Sequence, residues 1–356
     1  MRTAMKRVPA PLAGGIALCL ALLCSPAAAQ VRYSVIDLGT LGGAPDYASA
    51  LGINDAGQVV GLSRDKRGHD RAIIFDRTHG MRSLGLLPGA PKDGSSTALH
   101  IDSAGGIVGY ASGPHCKNLC QHAFYLPPAA PEMIDLGLSK KGNSTASWSN
   151  RKGRVGGFAE SQAVIWRSDR DYEPQIVQGL PGYDKHAVVA INDSGFTVGA
   201  SESTLTGACA AWVLQDQQAQ DIGKLSGTCA TPTAVNRHGA VIGFSTTDAP
   251  SGVHPFLWTA GQGMIDLGLV GIATSGTALG INDRNEVVGT ATNNLSFVTA
   301  FLYVPGVGAQ DLNQMIPPES GVLLSRASGI NSHGEICANG WDANLDQHAF
   351  LLVPLP

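Results

Sequence analysis

The chain has 356 residues, is 44% hydrophobic and 15% charged, and carries a net charge of −4. The apolar fraction excludes a disordered chain, and the negative balance argues against a nucleic-acid partner, which calls for a basic face. With 45 glycines and only 6% aromatics, the composition points to a fold with many tight turns.

Arg2, Lys6 and Arg7 precede a short apolar stretch from Leu12 to Leu23, and Ala27-Ala28-Ala29 stands before Gln30. A basic start, a short apolar run and a small-residue site predict a signal peptide over 1–29. The mature chain, 30–356, is then one repeat domain, exported to the periplasm or the medium. The apolar run is too short to span a bilayer, and no later run reaches the ~18 apolar residues a span needs, so no membrane association is expected after cleavage. Cleavage removes three cations, taking the charge from −4 to −7, and leaves five of seven cysteines in an oxidising compartment where disulfides persist.

The first element after the signal is Tyr33-Ser34-Val35-Ile36-Asp37-Leu38-Gly39, an isolated strand. A nonapeptide then recurs seven times: INDAGQVVG from 53, IDSAGGIVG from 101, SNRKGRVGG from 149, INDSGFTVG from 191, VNRHGAVIG from 235, INDRNEVVG from 281 and INSHGEICA from 330. The starts lie 48, 48, 42, 44, 46 and 49 residues apart, a period that marks repeat architectures.

The sixth copy shows the unit clearly. Strand-like runs at Thr277–Ile281, Glu286–Thr290, Ala300–Tyr303 and Ala309–Leu312 are separated by turn residues. The third run recurs as His122-Ala123-Phe124, His254-Pro255-Phe256 and His348-Ala349-Phe350, and the fourth as Met133-Ile134-Asp135-Leu136-Gly137 and Met264-Ile265-Asp266-Leu267-Gly268. The fourth copy is degenerate in its third strand, Ala208-Cys209-Ala210-Ala211-Trp212. In the N-D-x-G turn, Asn or Asp bonds the backbone ahead of it and Gly takes a positive φ, closing a hairpin. Asp55, Asp193 and Asp283 raise calcium binding as an alternative, but the denser carboxylate pattern of a calcium loop is missing.

Four short strands per unit of about 45 residues is the arithmetic of a propeller blade. The expectation is an all-β, seven-bladed β-propeller of four-stranded antiparallel blades. The chain opens on a fourth strand lacking a third and ends on a third strand lacking a fourth, so the N-terminal strand is expected to close the last blade and remove an exposed edge.

I-N-D-x-G-x-V-V-G, H-A-F-L and M-x-D-L-G in register, over about 31–356, make the chain resemble the HAF-repeat family of bacterial extracellular repeat proteins. The resemblance implies an exported β-propeller with no established chemistry. Some relatives end in a surface-sorting tail, which is not expected after Leu355-Pro356.

In such a blade the N-D-x-G turns share one face, expected to be structural, and the second-to-third and fourth-to-first connections share the other. The variable second-to-third loops are where binding residues are expected, with Arg64, His69, Tyr110 and His115 as candidates. Cys116–Cys120 and Cys209–Cys229 disulfides are expected to stiffen that face, leaving Cys337 free and buried. His122, His254 and His348 share one repeat position, so a structural role is expected for them. No catalytic residue, cofactor or metal site is assigned, because G-x-S-x-G, H-E-x-x-H and P-loop motifs are absent. The sequence thus reads as an exported, non-catalytic module binding an extracellular polysaccharide or protein. The alternatives are a secreted glycan hydrolase or lyase, whose two carboxylates would come from the loop face, and a structural envelope component.

Overall fold

A computed structural model describes residues 32–114, 120–138, 142–248 and 252–356. The expected signal peptide, His115 and Cys116 lie outside the described residues. Among the described residues no helix is long and apolar enough to cross a membrane.

The fold is all-β. The sixth copy runs Ser275–Ile281, Val287–Thr292, Val298–Val304 and Gly308–Asp311, each strand antiparallel to the one before it. These match the four expected strands to within a few residues. Copies 1 to 4 form one four-stranded antiparallel sheet each. Copies 5 and 6 join as a single eight-stranded sheet through one parallel pair, Val253 with Ser275. The same kind of link, from the start of a third strand to the start of the next copy, recurs at Tyr47–Gln347 and Cys209–Cys229. The sixth sheet holds Leu323–Ile330, Ile336–Trp341 and Gln347–Pro354, with the N-terminal Tyr33–Asp37 on its edge. Tyr33 pairs with Pro354 and Asp37 with Phe350.

Each sheet buries its faces against its neighbours. Val60, Ala72 and Ile74 of the first copy pack with Ile101, Phe124 and Met133 of the second. Ala48, Ala50 and Phe75 of the first copy pack with Cys337, Ala349 and Leu351 of the last, together with Leu38. The first and last copies therefore share one apolar core. Close packing sets the sequence: at Gly109 an added Cβ would lie 1.9 Å from the Thr97 carbonyl oxygen, so glycine recurs on the second strand.

Motif residues far apart in the unit meet in space. The third-strand His donates or accepts at Nδ1 with the fourth-strand Asp: His122 with Asp135 at 2.9 Å, His254 with Asp266 at 2.7 Å and His348 with Asp37 at 2.7 Å. The last of these ties the C-terminal strand to the N-terminal one. This is the repeated structural role expected for these histidines.

Every N-D-x-G turn is built alike. Asn236 Oδ1 accepts from the N–H groups of His238 and Ala240, both at 3.0 Å, and Gly239 takes φ +80°. In the sixth copy Asn285 replaces the glycine and tolerates φ +58°. The Asn side chain then does something the motif alone did not reveal: its Nδ2 donates to the matching carbonyl of the next copy. Asn150 reaches Asn192 O at 2.9 Å, Asn192 reaches Asn236 O at 3.0 Å and Asn236 reaches Asn282 O at 3.1 Å. Asn282 reaches Asn331 O at 3.3 Å, Asn331 reaches Asn54 O at 3.1 Å, and Asn54 reaches Asp102 O at 3.3 Å. The turn Asp adds a second link. Asp193 accepts from the Arg151 N–H at 3.1 Å, Asp283 from Arg237 at 3.0 Å and Asp55 from Ser332 at 2.9 Å.

Cys209 and Cys229 form a disulfide across copies 4 and 5, with Cα atoms 4.6 Å apart, inside the usual range. Cys337 is free and buried.

Two outcomes follow for stability. Asn236→Ala removes the turn cap and leaves the buried Asn282 carbonyl without its donor, so urea unfolding should show a loss of about 2–4 kcal/mol. Replacing Cys209 and Cys229 together by Ser should cost about 2–4 kcal/mol in the same assay, and a loss confined to reducing conditions in the parent protein would identify the bond as its source.

Candidate functional site

The first strand of every copy carries a register shift at one shared place, and that of the last copy carries another at Ser325. The extra residues at the shared place are Leu51, Leu99, Ser147, Val189, Thr233, Leu279 and Ser328. A bulge leaves its extra residue unpaired and re-aims it. All seven line one central cavity of about 360 Å³. A second cavity of about 470 Å³ lies on the turn side, edged by Asn54, Asn192, Asn236, Asn282 and Asn331 with Asp55, Asp193, Asp283, Arg151 and Arg237. The face expected to be only structural thus surrounds a cavity. Its polar groups are largely occupied with one another: Arg237 pairs with Asp283 at 2.5 Å and Arg151 with Asp193 at 3.4 Å.

His100 and Trp148 line both cavities, and their rings stack with centroids 3.9 Å apart. Register places them where other copies carry Gly52, Ala190, Ala234, Gly280 and Gly329. Burial pushes the His100 imidazole down to about 3, so the ring is neutral at physiological pH. Its Nδ1 accepts from the Ser149 N–H at 3.3 Å, which leaves the proton on Nε2.

Arg326 is the third departure from the repeat. It stands where the other first strands carry Ser49, Thr97, Thr145, Ala187, Thr231 and Thr277. It lines the inner cavity. Protein crowding lowers its pKa although water reaches the side chain. Its Nε donates to Ser328 Oγ at 3.3 Å, and no carboxylate among the described residues pairs with it. These departures were legible in an alignment of the seven copies against one another. They are departures from the repeat, so agreement between copies does not single them out.

Asp102 breaks the asparagine series. Its Oδ1 caps Ala104 and Gly106, both at 2.9 Å, as the asparagines do. Its Oδ2, where an Asn would carry its donor, is buried without a partner. The neighbouring Ser149 hydroxyl donates instead to the Gly106 carbonyl, at 3.4 Å. Burial, aided by the charge of Asp193, pushes the Asp102 carboxyl above its ordinary 3.8.

The loop face holds the residues expected to bind. Arg64 pairs with Asp70 at 3.4 Å and lies 5.9 Å from the Tyr47 ring centroid. The His69 N–H donates to Asp65 at 3.0 Å in the same loop. Tyr110 sits half-buried on a second strand, opposite Thr97 and Ala123. Arg64 and His69 share a loop, Tyr110 belongs to another sheet, and none of the three lines either central cavity. Of the expected cysteine pairs, Cys209–Cys229 is present and Cys116 lies outside the described residues.

The second-to-third loops are less irregular than their sequences suggest. Asn293 Oδ1 accepts from Leu295 and Phe297 at 2.9 and 3.1 Å, and Asp342 Oδ1 from Asn344 and Asp346 at 2.9 and 2.8 Å. These side-chain-capped turns hold apolar tips outward: Leu205, Leu295, Phe297 and Leu345 are 92, 75, 70 and 80% exposed. Ile272, in a fourth-to-first connection, and Leu323, at the start of the last copy's first strand, are exposed on the same face.

No protein-family model and no curated protein matches the chain. Among solved structures it is similar to virginiamycin B lyase from Staphylococcus aureus, at 10% identity and a TM-score of 0.57, covering 91% of this chain and 100% of that one. It is also similar to the β-propeller domain of the Trilobed protease from Pyrococcus furiosus, at 8% identity and a TM-score of 0.50, covering 86% of this chain and 93% of that one. A third likeness is to YCF48 bound to D1 peptide, at 11% identity and a TM-score of 0.50, covering 91% and 96%. At these identities the likeness carries the fold alone: the chain has a β-propeller architecture of four-stranded antiparallel sheets.

Asp102→Asn should restore a donor toward the Asn150 carbonyl and raise stability at pH 7 by about 1 kcal/mol. The sign follows from the raised carboxyl. Protonated Asp102 favours the fold below pH 3.8, and that contribution is lost as pH rises through the higher folded value. The advantage of the Asn variant should therefore grow with pH above 3.8. Urea midpoints of both proteins from pH 4 upward test this, and a pH-independent difference would contradict it.

Proposed function

We propose that this chain is an exported, non-catalytic β-propeller of the HAF-repeat kind, with seven blades in a closed ring, that binds an extracellular partner through its loop face. The core shared by the first and last copies and the His348–Asp37 pair support closure by the N-terminal strand. Counting copies 5 and 6 as two blades joined by one parallel pair supports seven. The Cys209–Cys229 disulfide supports passage into an oxidising compartment, in keeping with the signal peptide read over 1–29.

The observation that carries binding is the set of apolar tips at Leu205, Leu295, Phe297 and Leu345. Several large apolar side chains held outward on connections of one kind, Leu295 and Phe297 within a single loop, lower solubility for no gain in folding, and where such tips lie together they mark an interaction site. The capped turns beneath them reduce the entropy lost on association. Arg64 and His69 add a polar element to the same face. A protein surface or the apolar faces of sugar rings would complement it.

Incubating the protein with a panel of polysaccharides, with mass spectrometry of the supernatant, tests this reading. Saturable retention with intact glycans is expected. Combining Leu295→Asp, Phe297→Asp and Leu345→Asp should abolish it with little change in melting temperature, since exposed side chains contribute little to folding. Released oligosaccharides would establish catalysis and overturn the proposal. Retention that survives the triple variant would remove the loop tips from the site, and no retention at all would point to a protein partner.

A further inference from the structure

The loop tips leave the central cavity unexplained. The repeat is obeyed almost everywhere, yet three of its departures, His100, Trp148 and Arg326, all line one cavity. Each introduces a large functional side chain where the other copies carry Gly, Ala, Ser or Thr. Trp148 also packs against the cores of copies 4 to 6, and a cavity of about 360 Å³ still remains beside it, within the range of small-molecule sites.

We propose that this inner cavity is a binding site for a small ring-shaped carboxylate, most simply an acidic sugar residue, held between Arg326 and the His100–Trp148 stack. The two roles are chemically distinct. A guanidinium offers five donors in a planar fork that matches a carboxylate, and because no acidic residue lines this cavity among the described residues its charge is uncompensated there. The Trp148 face suits the apolar face of a flat ring, with His100 supporting it from behind at 3.9 Å. Neutral His100 adds no second charge, and its Nε2–H is a donor. Ser147, Thr233 and Ser328 bring hydroxyls to the lining from three different copies, which favours a hydroxylated ring over an aromatic acid. Thr233 already donates to the Ala278 carbonyl at 2.8 Å, so toward a ligand it acts as an acceptor, suited to a sugar hydroxyl.

Arg326 lies toward the loop end of the cavity, where water reaches its side chain. Arg326 precedes the Ser328 bulge on a strand that the chain enters from the loop face and leaves at the N-D-x-G turn. The ligand's carboxylate and the partner of the loop tips therefore lie toward the same end, but they use different residues, and this inference does not depend on the loop-tip reading.

Calorimetric titration of the purified protein with trigalacturonic acid, its fully methyl-esterified trimer and benzoate tests the site. The acid should bind saturably and quench tryptophan fluorescence. The ester, which keeps the rings and loses the charge, should bind at least about tenfold more weakly. Arg326→Gln should lose affinity for the acid by a similar factor while leaving the melting temperature unchanged, because its guanidinium makes no ion pair. Trp148→Phe should abolish the quench, since of the five tryptophans Trp166 and Trp212 are buried and Trp258 and Trp341 line neither cavity. The loop-tip triple variant should bind the acid as the parent does. Equal affinity for acid and ester, or full affinity in Arg326→Gln, would overturn the site. Benzoate binding as tightly as trigalacturonate would overturn its assignment to an acidic sugar, and no binding of either acid at millimolar concentration would overturn it altogether.

Discussion

The structure depends on one side chain repeated: the asparagine that opens each N-D-x-G turn. Its carbonyl oxygen caps the hairpin of its own copy, and its amide donates across to the backbone of the next. An amide alone among short side chains offers an acceptor and a donor on the same planar group, so neither Ser nor ionised Asp could fill both roles. The bonds are buried, as in Asn150 and Asn282 at 2 and 4% exposure, where an unmade bond is costly. The turn that shapes each unit is thereby also the joint between units, so turn geometry and the packing of one unit on the next cannot be varied independently.

A second coupling operates at the outer half of each unit. The His of the third strand and the Asp of the fourth are separated by 12 or 13 residues within a copy, but by 311 residues where His348 meets Asp37. The same local pair becomes a clasp between chain ends wherever the unit is split by the termini. The shared core of the first and last copies adds an apolar component to that clasp. A repeat array with matched ends can bury both and so leaves fewer strand edges open to mispairing.

Against so regular a frame, departures carry the information about function. Asp102 replaces the structural amide with a group that cannot donate when ionised. His100, Trp148 and Arg326 replace small residues and converge on the cavity. Leu205, Leu295, Phe297 and Leu345 spend apolar surface on solvent at the loop ends. Apart from Asp102 none lies in the repeated nonapeptide, and the loop-face residues Arg64, His69 and Tyr110 are instead paired near their own loop or held on a strand.

The sequence by itself determined the unit. Period-2 apolar runs broken by Gly, Asn and Asp specify four short strands, and the observed bounds follow because hairpin geometry is local. The nonapeptide recurs seven times, and the unmatched strands at the two ends made those ends complementary. Tertiary structure alone decided what those units enclose. That His100, Trp148 and Arg326 share one cavity depends on bulges repeated around an axis, which brings together residues from copies far apart in the chain. The second role of the turn asparagine was hidden for the same reason: its amide acts on a carbonyl 42 to 49 residues away, or 277 at the chain ends. A side chain's local bonds are written in its neighbours, whereas its distant ones exist only once packing has placed the partner.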